Sequence, residues 1–293
     1  MFPTIHVRSP LSFKTYKIEV NRIPMTQSIN HAFRFECLVG LQVSADIVLE
    51  VKGLLPQFIY SDVPDYYIQA SEVDRRLVGK EVKNKRILNV GCGSKLISDA
   101  YFAALDAKVV GVDFDDKAVV EANEKIRKLG NLDIEVLYGD GRKLDFADES
   151  FDIVVSYSSI EHMESYSDRL LAIKEMKRVT KKNGLIAITG PNMLNLATTL
   201  LSHLLFNSGE NHYYEHRYTP WEMKRMLTIN GLQIVRYDAE SVYIVDETLI
   251  KNRLPWLQGL PIHYRSLSTF MKFLNSKPFK LFGQRMGYLA RKP

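Results

Sequence analysis

The chain has 293 residues, 46% of them hydrophobic and 25% charged, which is enough for one large buried core or two modest ones. Its formal net charge is only +5, and the basic residues are scattered through helix patterns rather than blocked, so a nucleic-acid partner is not indicated. Cys37 and Cys92 make neither a disulfide framework nor a metal-ligand spacing, no secretory signal opens the chain, and no stretch reaches the roughly 20 apolar residues of a membrane span. A soluble, cytoplasmic protein is the expectation.

Residues 1–64 carry strand-like pieces at 13–20, 33–41 and 46–51, broken by Pro10, Pro24, Pro56 and Pro64. This predicts an N-terminal extension packed on a main domain over 65–293. A helix pattern over 66–82 leads into that domain. From 84 to 190 strand and helix signals then alternate with short connections. The strands, at 86–90, 108–112, 133–138, 151–156 and 185–189, are rich in Val and Ile and almost unbroken in hydrophobicity, as parallel strands buried on both faces are. Helix patterns lie at 96–105, at 115–129 before Gly130, and at 167–180 before Gly184. The alternation predicts a doubly wound, mostly parallel α/β sheet.

Beyond Pro191 come an apolar helix over 194–206, a polar aromatic loop over 207–218, and a helix opened by Thr219-Pro220 and closed by Asn230-Gly231. The segment 191–218 reads as a lid-like insert. A strand at 232–238, a Pro-punctuated insert and a last strand around 287–290 predict an antiparallel hairpin at the sheet edge, completing seven strands.

The most informative stretch is Arg86-Ile-Leu-Asn-Val-Gly-Cys-Gly-Ser-Lys95, answered by Val109-Val-Gly-Val-Asp113. It reads as strand, tight glycine turn, helix, and a second strand ending in an acid, which is one half of a nucleotide-binding crevice. Gly91 and Gly93 allow a sharp turn and close approach to a ligand. The helix that follows aims its positive N-terminus at that ligand.

Two further segments join these: Gly139-Asp-Gly-Arg-Lys-Leu-Asp-Phe146 with Ser150-Phe-Asp-Ile-Val-Val155, and Val179-Thr-Lys-Lys-Asn-Gly-Leu-Ile-Ala-Ile188. In this order and spacing, residues 65–240 resemble the S-adenosylmethionine-dependent methyltransferases of the Rossmann-like type, especially the branch acting on quinones, small metabolites and glycans. The resemblance implies S-adenosylmethionine as cofactor and methyl transfer to a small-molecule, glycan-linked or lipid-linked acceptor. It implies that Asn89 and the amides of Gly91 and Gly93 face the cofactor's amino-acid tail, and that Asp113 accepts the ribose hydroxyls. It sets Phe114 against the adenine, Asp140 to accept from its exocyclic amine, and the Gly141 or Arg142 amide to donate to a ring nitrogen. Ser156 and Tyr157 fall near the sulfonium. The chain departs from the family at Asn89, usually an acid, and at Lys95, usually a third glycine.

Methyl transfer needs a base when the acceptor must lose a proton. Glu161 and His162, just after the fourth predicted strand, are the candidates. His212, Tyr214, His216 and Arg217 form a cluster suited to binding the acceptor beneath a lid. His212 and His216 lack a third ligand nearby, so no metal is expected. The helix over 194–206 is read as a cover for the site. Docking to a lipid surface is its weaker reading, because its polar positions carry no positive charge. Two other functions compete. A nicotinamide-dependent oxidoreductase would want a third glycine at Leu96 and leaves Asp140 unexplained. A cofactor-binding module without transfer activity draws support from Asn89 and Lys95 alone.

Overall fold

The computed structural model describes residues 4–8, 15–19, 55, 72–79, 81–130, 132–195, 214–239, 281–283 and 285–293. The strands expected at 33–41 and 46–51, the 194–206 helix beyond residue 195, and His212 lie outside the described residues. The chain falls into two compact units, Met1–Leu38 and Val39–Pro293. The first contains an antiparallel hairpin of β1 (Thr4–Arg8) and β2 (Thr15–Glu19), paired from Thr4 with Glu19 to Arg8 with Thr15.

The second unit holds α1 (Glu72–Val78), β3 (Arg86–Val90), α2 (Ile97–Ala104), β4 (Lys108–Asp113), α3 (Asp116–Leu129), β5 (Ile134–Tyr138), β6 (Phe151–Tyr157), α4 (Tyr166–Val179), β7 (Thr180–Pro191), α5 (Pro220–Ile229), β8 (Gln233–Ala239) and β9 (Arg285–Arg291). They build a seven-stranded sheet in the order β5-β4-β3-β6-β7-β9-β8. The first five strands of that order are mutually parallel, and β9 runs antiparallel to both β7 and β8. The expected terminal hairpin is therefore present, with its second strand inserted between the first and the rest of the sheet.

Local chemistry sets the helix ends. The Asp115 carboxylate accepts from the Lys117 amide to open α3, and Gly130 at φ +65° closes it. Ser165 accepts from the Asp168 amide at the start of α4, and Thr219 from the Glu222 amide at the start of α5, where Pro220 takes the first turn. The α4 helix ends one residue earlier than its pattern predicts. Thr180 already pairs with Phe151, and its hydroxyl donates to the Met176 carbonyl, so the strand starts where the helix stops.

Successive strand residues such as Ile87 and Leu88 point to opposite faces, and both are buried. One face packs Leu77, Phe102, Ala122 and Ile153 into a core, and the other packs Leu88, Val154, Ile173 and Met226. Full burial of each such side chain contributes roughly 1.5–3 kcal/mol, so both faces hold the sheet firmly. From β3 the chain order runs outward to β4 and β5 on one side, and from β6 to β7 on the other. The connections leaving β3 and β6 diverge, opening a crevice at their carboxyl ends.

Candidate active site

The glycine turn after β3 is left-handed at both glycines, with φ +75° at Gly91 and +59° at Gly93. The Gly91 and Cys92 amides donate to the Val112 carbonyl at 2.7 and 3.2 Å, tying the turn to β4. A Cβ on Gly91 would land inside the Ser159 side chain, whereas one on Gly93 would meet nothing within 4 Å. Gly91 thus seats the loop after β6, while Gly93 leaves room above the turn. Leu96, which opens α2, also takes a left-handed backbone, φ +58°, and no side chain caps the helix. The N-cap residue therefore supplies no side-chain acceptor to the first turn of α2.

Beneath the turn, Asn89 and Asp99 form a buried pair. The Asn89 amide donates to both carboxylate oxygens of Asp99, at 2.9 and 3.1 Å. Asn89 Oδ1 is buried without a partner. Burial pushes the Asp99 carboxyl up to about 6, against the pull of the Asn89 bond. These two residues share a cavity with Tyr157, Asp74, Lys95 and Arg285. Asp74 accepts from the Thr189 hydroxyl at 2.7 Å and pairs with Arg285 at 3.3 Å, and its carbonyl accepts from the Tyr157 hydroxyl at 3.1 Å. Tyr157 therefore lines the crevice with its hydroxyl committed to α1. Ser156 is fully buried and donates to the Val90 carbonyl at 3.0 Å, which ties β6 to the end of β3.

On the β4 side, Asp113 is buried at the strand end. Its two oxygens accept from the amides of Gly93 and Asp115, at 2.8 and 3.0 Å. A carboxylate has about four acceptor positions, so two remain for other donors. Phe114 is 73% exposed, which removes it from the core and leaves its ring face available for stacking. Asp140 is gripped by the Arg142 guanidinium, with Nη2 to Oδ2 at 2.7 Å, and by the Arg142 amide at 2.8 Å. These bonds hold its carboxyl below the usual range. With the Arg142 amide committed, Gly141 is the remaining amide of the two able to donate to a ligand. A Cβ on Gly141 would press on Val90 at 2.7 Å, so no larger residue fits there without movement.

After β6 the backbone turns through Ser158 at φ +48° into a single helical turn, Ile160–His162. Glu161 is buried, and its Oε2 has no partner. Burial pushes this carboxyl up to about 7, opposed by its own backbone bond and by the charges of Arg285 and His162. Its backbone carbonyl accepts from the His216 amide at 2.9 Å. His162 is exposed, and its Nδ1 lies 2.9 Å from the Tyr214 carbonyl, a contact that holds the 214–218 segment. His216 Nε2 sits 2.7 Å from Glu222 Oε1, Arg217 pairs with Glu215 at 3.4 Å, and the buried Tyr218 amide donates to the Pro191 carbonyl at 2.9 Å. The 214–218 segment is thus tied to the Ile160–His162 turn, and His216 and Arg217 are already paired with Glu222 and Glu215.

Residues 88–188 match the family described as Methyltransferase domain. The match spans 101 of the 293 residues. The chain is 30% identical over 105 residues to the demethylmenaquinone methyltransferase of Geobacillus stearothermophilus, covering 35% of this chain and 44% of that one. It is 32% identical over 105 residues to the 27-O-demethylrifamycin SV methyltransferase of Amycolatopsis mediterranei, covering 35% and 37%. The chain aligns over less than half the length of the curated relatives it matches. A solved S-adenosylmethionine-dependent methyltransferase of Methanosarcina mazei shares the fold, with a TM-score of 0.53 at 18% identity over 75% of this chain and 97% of that one.

The crevice suits S-adenosylmethionine on its own geometry. The N-cap residue of α2 offers its first turn no side chain, an unpartnered acceptor stands at Asn89, open space lies over Gly93, and an exposed ring follows Asp113. Asp99, Asp74, Ser159 and Arg285 belong to this surround and were not singled out from sequence. For Asp99 a signal existed, a lone acid within the apolar run of α2. Arg285 gave none, because it meets Thr189 only across two antiparallel strands.

Proposed function

We propose that this chain transfers a methyl group from S-adenosylmethionine to a small-molecule acceptor whose hydroxyl or phenol must lose its proton. The observation that carries the reading is Glu161: a buried carboxylate with a free oxygen, at the carboxyl end of β6, raised to about 7. A base matched to neutral pH is what deprotonating such an acceptor requires. When bound, S-adenosylmethionine would supply a methyl carbon activated by its sulfonium for displacement by the acceptor oxygen. Glu161 takes the acceptor proton on its free oxygen. Asp113 would hold the ribose through its two remaining acceptor positions, Phe114 would stack on the adenine, and Asp140 and the Gly141 amide would meet its edge. His162 serves by fixing the 214–218 segment over the site, which excludes water. Tyr214, at the rim, contacts the acceptor. The relatives named for demethylmenaquinone and 27-O-demethylrifamycin support a small-molecule acceptor, and the second of these names carries an O-methyl group.

Titration calorimetry with S-adenosylmethionine, S-adenosylhomocysteine and NAD tests the cofactor, and labelled methyl transfer to a panel of phenols and hydroxyl compounds tests the reaction. Binding of NAD alone would sink the proposal in favour of an oxidoreductase.

A further inference from the structure

A second recess, of about 230 Å³, lies at the opposite end of the sheet from the crevice, where β3, β6 and β7 begin and β9 ends. Four cations, Lys85, Lys181, Lys182 and Arg291, and two acids, Glu81 and Asp152, line it, which leaves an excess of two positive charges. The strand pairing builds this recess. Phe151 of β6 pairs with Thr180, and Ile153 with Leu185, so Asp152 alone faces the four residues 181–184 of β7. The resulting bulge is fixed on both sides. Asp152 accepts from Lys181 Nζ and from the Arg86 amide, both at 2.9 Å, which engages each of its oxygens. The Asn183 amide donates to the Lys292 carbonyl at 2.9 Å, and the Lys292 amide to the Gly184 carbonyl at 3.0 Å. A Cβ on Gly184 would lie 2.8 Å from the carbonyls of Asp152 and Lys181, so the bulge closes too tightly for a side chain there. Lys182 is thus carried on a braced loop into the same recess as Lys85, at the entry to β3, and Arg291, at the end of β9. None of these three cations has an ion-pair partner among the described residues, and Lys85 acts on Asp152 only at longer range. Like charges gathered in one concavity repel, and an anion seated among them relieves that repulsion.

We infer that this recess is a binding site for a phosphate group, separate from the cofactor crevice. A phosphate dianion matches the excess of two charges. Its tetrahedral oxygens face several directions, so the ammonium groups of Lys85 and Lys182 and the guanidinium of Arg291 each meet a different oxygen. A carboxylate brings one charge and two oxygens along one edge. The five residues of β3 separate the recess from the glycine turn by about 15 Å, so a phosphate held here stands outside the reaction centre. The site anchors a phosphate-bearing molecule, whether a soluble compound or the headgroup of a lipid, and it does so independently of the S-adenosylmethionine reading.

Two measurements on the full chain at low salt test this. One is titration calorimetry with inorganic phosphate against acetate. The other is co-sedimentation with phosphatidylcholine vesicles carrying phosphatidic acid against the same vesicles carrying oleate. The wild type is expected to bind at least one phosphate source saturably, and its carboxylate counterpart about 10-fold more weakly or less. Lys85→Ala/Lys182→Ala/Arg291→Ala is expected to lose about 10-fold or more of that affinity while keeping its melting temperature. Lys128→Ala/Lys174→Ala/Lys224→Ala, which removes three exposed cations outside the recess, is expected to stay within about 2-fold of wild type. Binding of free phosphate assigns the site to a soluble phosphate compound, and binding confined to the phosphatidic acid vesicles assigns it to a lipid headgroup. Failure to bind either source overturns the inference, as does equal binding of the carboxylate counterpart or an equal loss in the two triple variants.

Discussion

Burial holds three of the described carboxylates above their ordinary range: Glu161, to about 7, Asp99, to about 6, and Asp74. A carboxyl raised by folding keeps its proton in the native state at pH values where the unfolded chain has lost it. Its contribution to stability is therefore present at low pH and declines as pH rises from the unfolded value, 4.5 for Glu161, to the folded one, about 7. That interval corresponds to about 3 kcal/mol. Glu161→Gln removes the charge without changing shape. It is expected to be more stable than wild type by up to about 3 kcal/mol at pH 8 and indistinguishable from it at pH 4, as urea unfolding at the two pH values will show. A gap of the same size at both would mean that Glu161 is not buried as described. The same variant is expected to lose about 100-fold or more in turnover at neutral pH while binding S-adenosylhomocysteine normally. At Asp113 the structure changes what a substitution means. Its carboxylate holds the amides of Gly93 and Asp115, so Asp113→Ala is expected to weaken S-adenosylhomocysteine binding by about 1–3 kcal/mol and to lower the melting temperature as well.

Between elements, the site depends on one close approach and one staple. The turn after β3 and the loop after β6 meet where Gly91 faces Ser159, and no Cβ fits between them. Gly91→Ala adds a left-handed alanine, roughly 1–2 kcal/mol, to that clash. A lowered melting temperature with loss of S-adenosylhomocysteine binding is the expected result. Ser159→Gly in the same chain should restore the part due to the clash and leave the backbone part. The staple is Arg178 on α4, which donates to the carbonyls of Leu144 and Phe146 and to the carboxylates of Asp148 and Glu175. It pins the chain just beyond Asp140. Arg178→Ala is expected to cost about 2 kcal/mol and to open residues 144–150 to proteolysis, which a limited digest followed by mass spectrometry reads directly. The 214–218 segment is held in turn by the His162, His216 and Tyr218 contacts, so its position is set by the turn after β6, by β7 and by α5 together.

At the scale of the whole molecule, a ligand bound in the crevice touches the ends of β3, β4 and β6 and so couples to unfolding of the entire sheet. S-adenosylhomocysteine at 100 times its dissociation constant is expected to add about 2.7 kcal/mol of stability, a rise of roughly 5–10 °C in melting temperature. NAD at the same concentration should produce none. A shift with NAD and none with S-adenosylhomocysteine would reverse the cofactor assignment. Among the described residues no helix is long and apolar enough to cross a membrane.

The alternation of apolar strands with amphipathic helices was readable because parallel strands covered on both faces must be hydrophobic at every position, as Ile87 to Val90 and Ile153 to Val155 are apart from Asn89. The glycine turn was readable because left-handed backbone at Gly91 and Gly93 admits few other residues. The strand order at the edge, the Asp99 partner of Asn89 and the division of labour between Glu161 and His162 were not. Insertion of β9 between β7 and β8 depends on pairings more than 90 residues apart in sequence, such as that of Thr189 with Gly287, which no local pattern records. Whether an acid is a cap, an ion-pair partner or a buried base depends on how much water the rest of the fold leaves around it. The two adjacent residues Glu161 and His162 look alike as candidates in sequence. Packing buries the first and exposes the second, and the roles proposed for them rest on that difference in solvation, set by β6, β7 and the 214–218 segment.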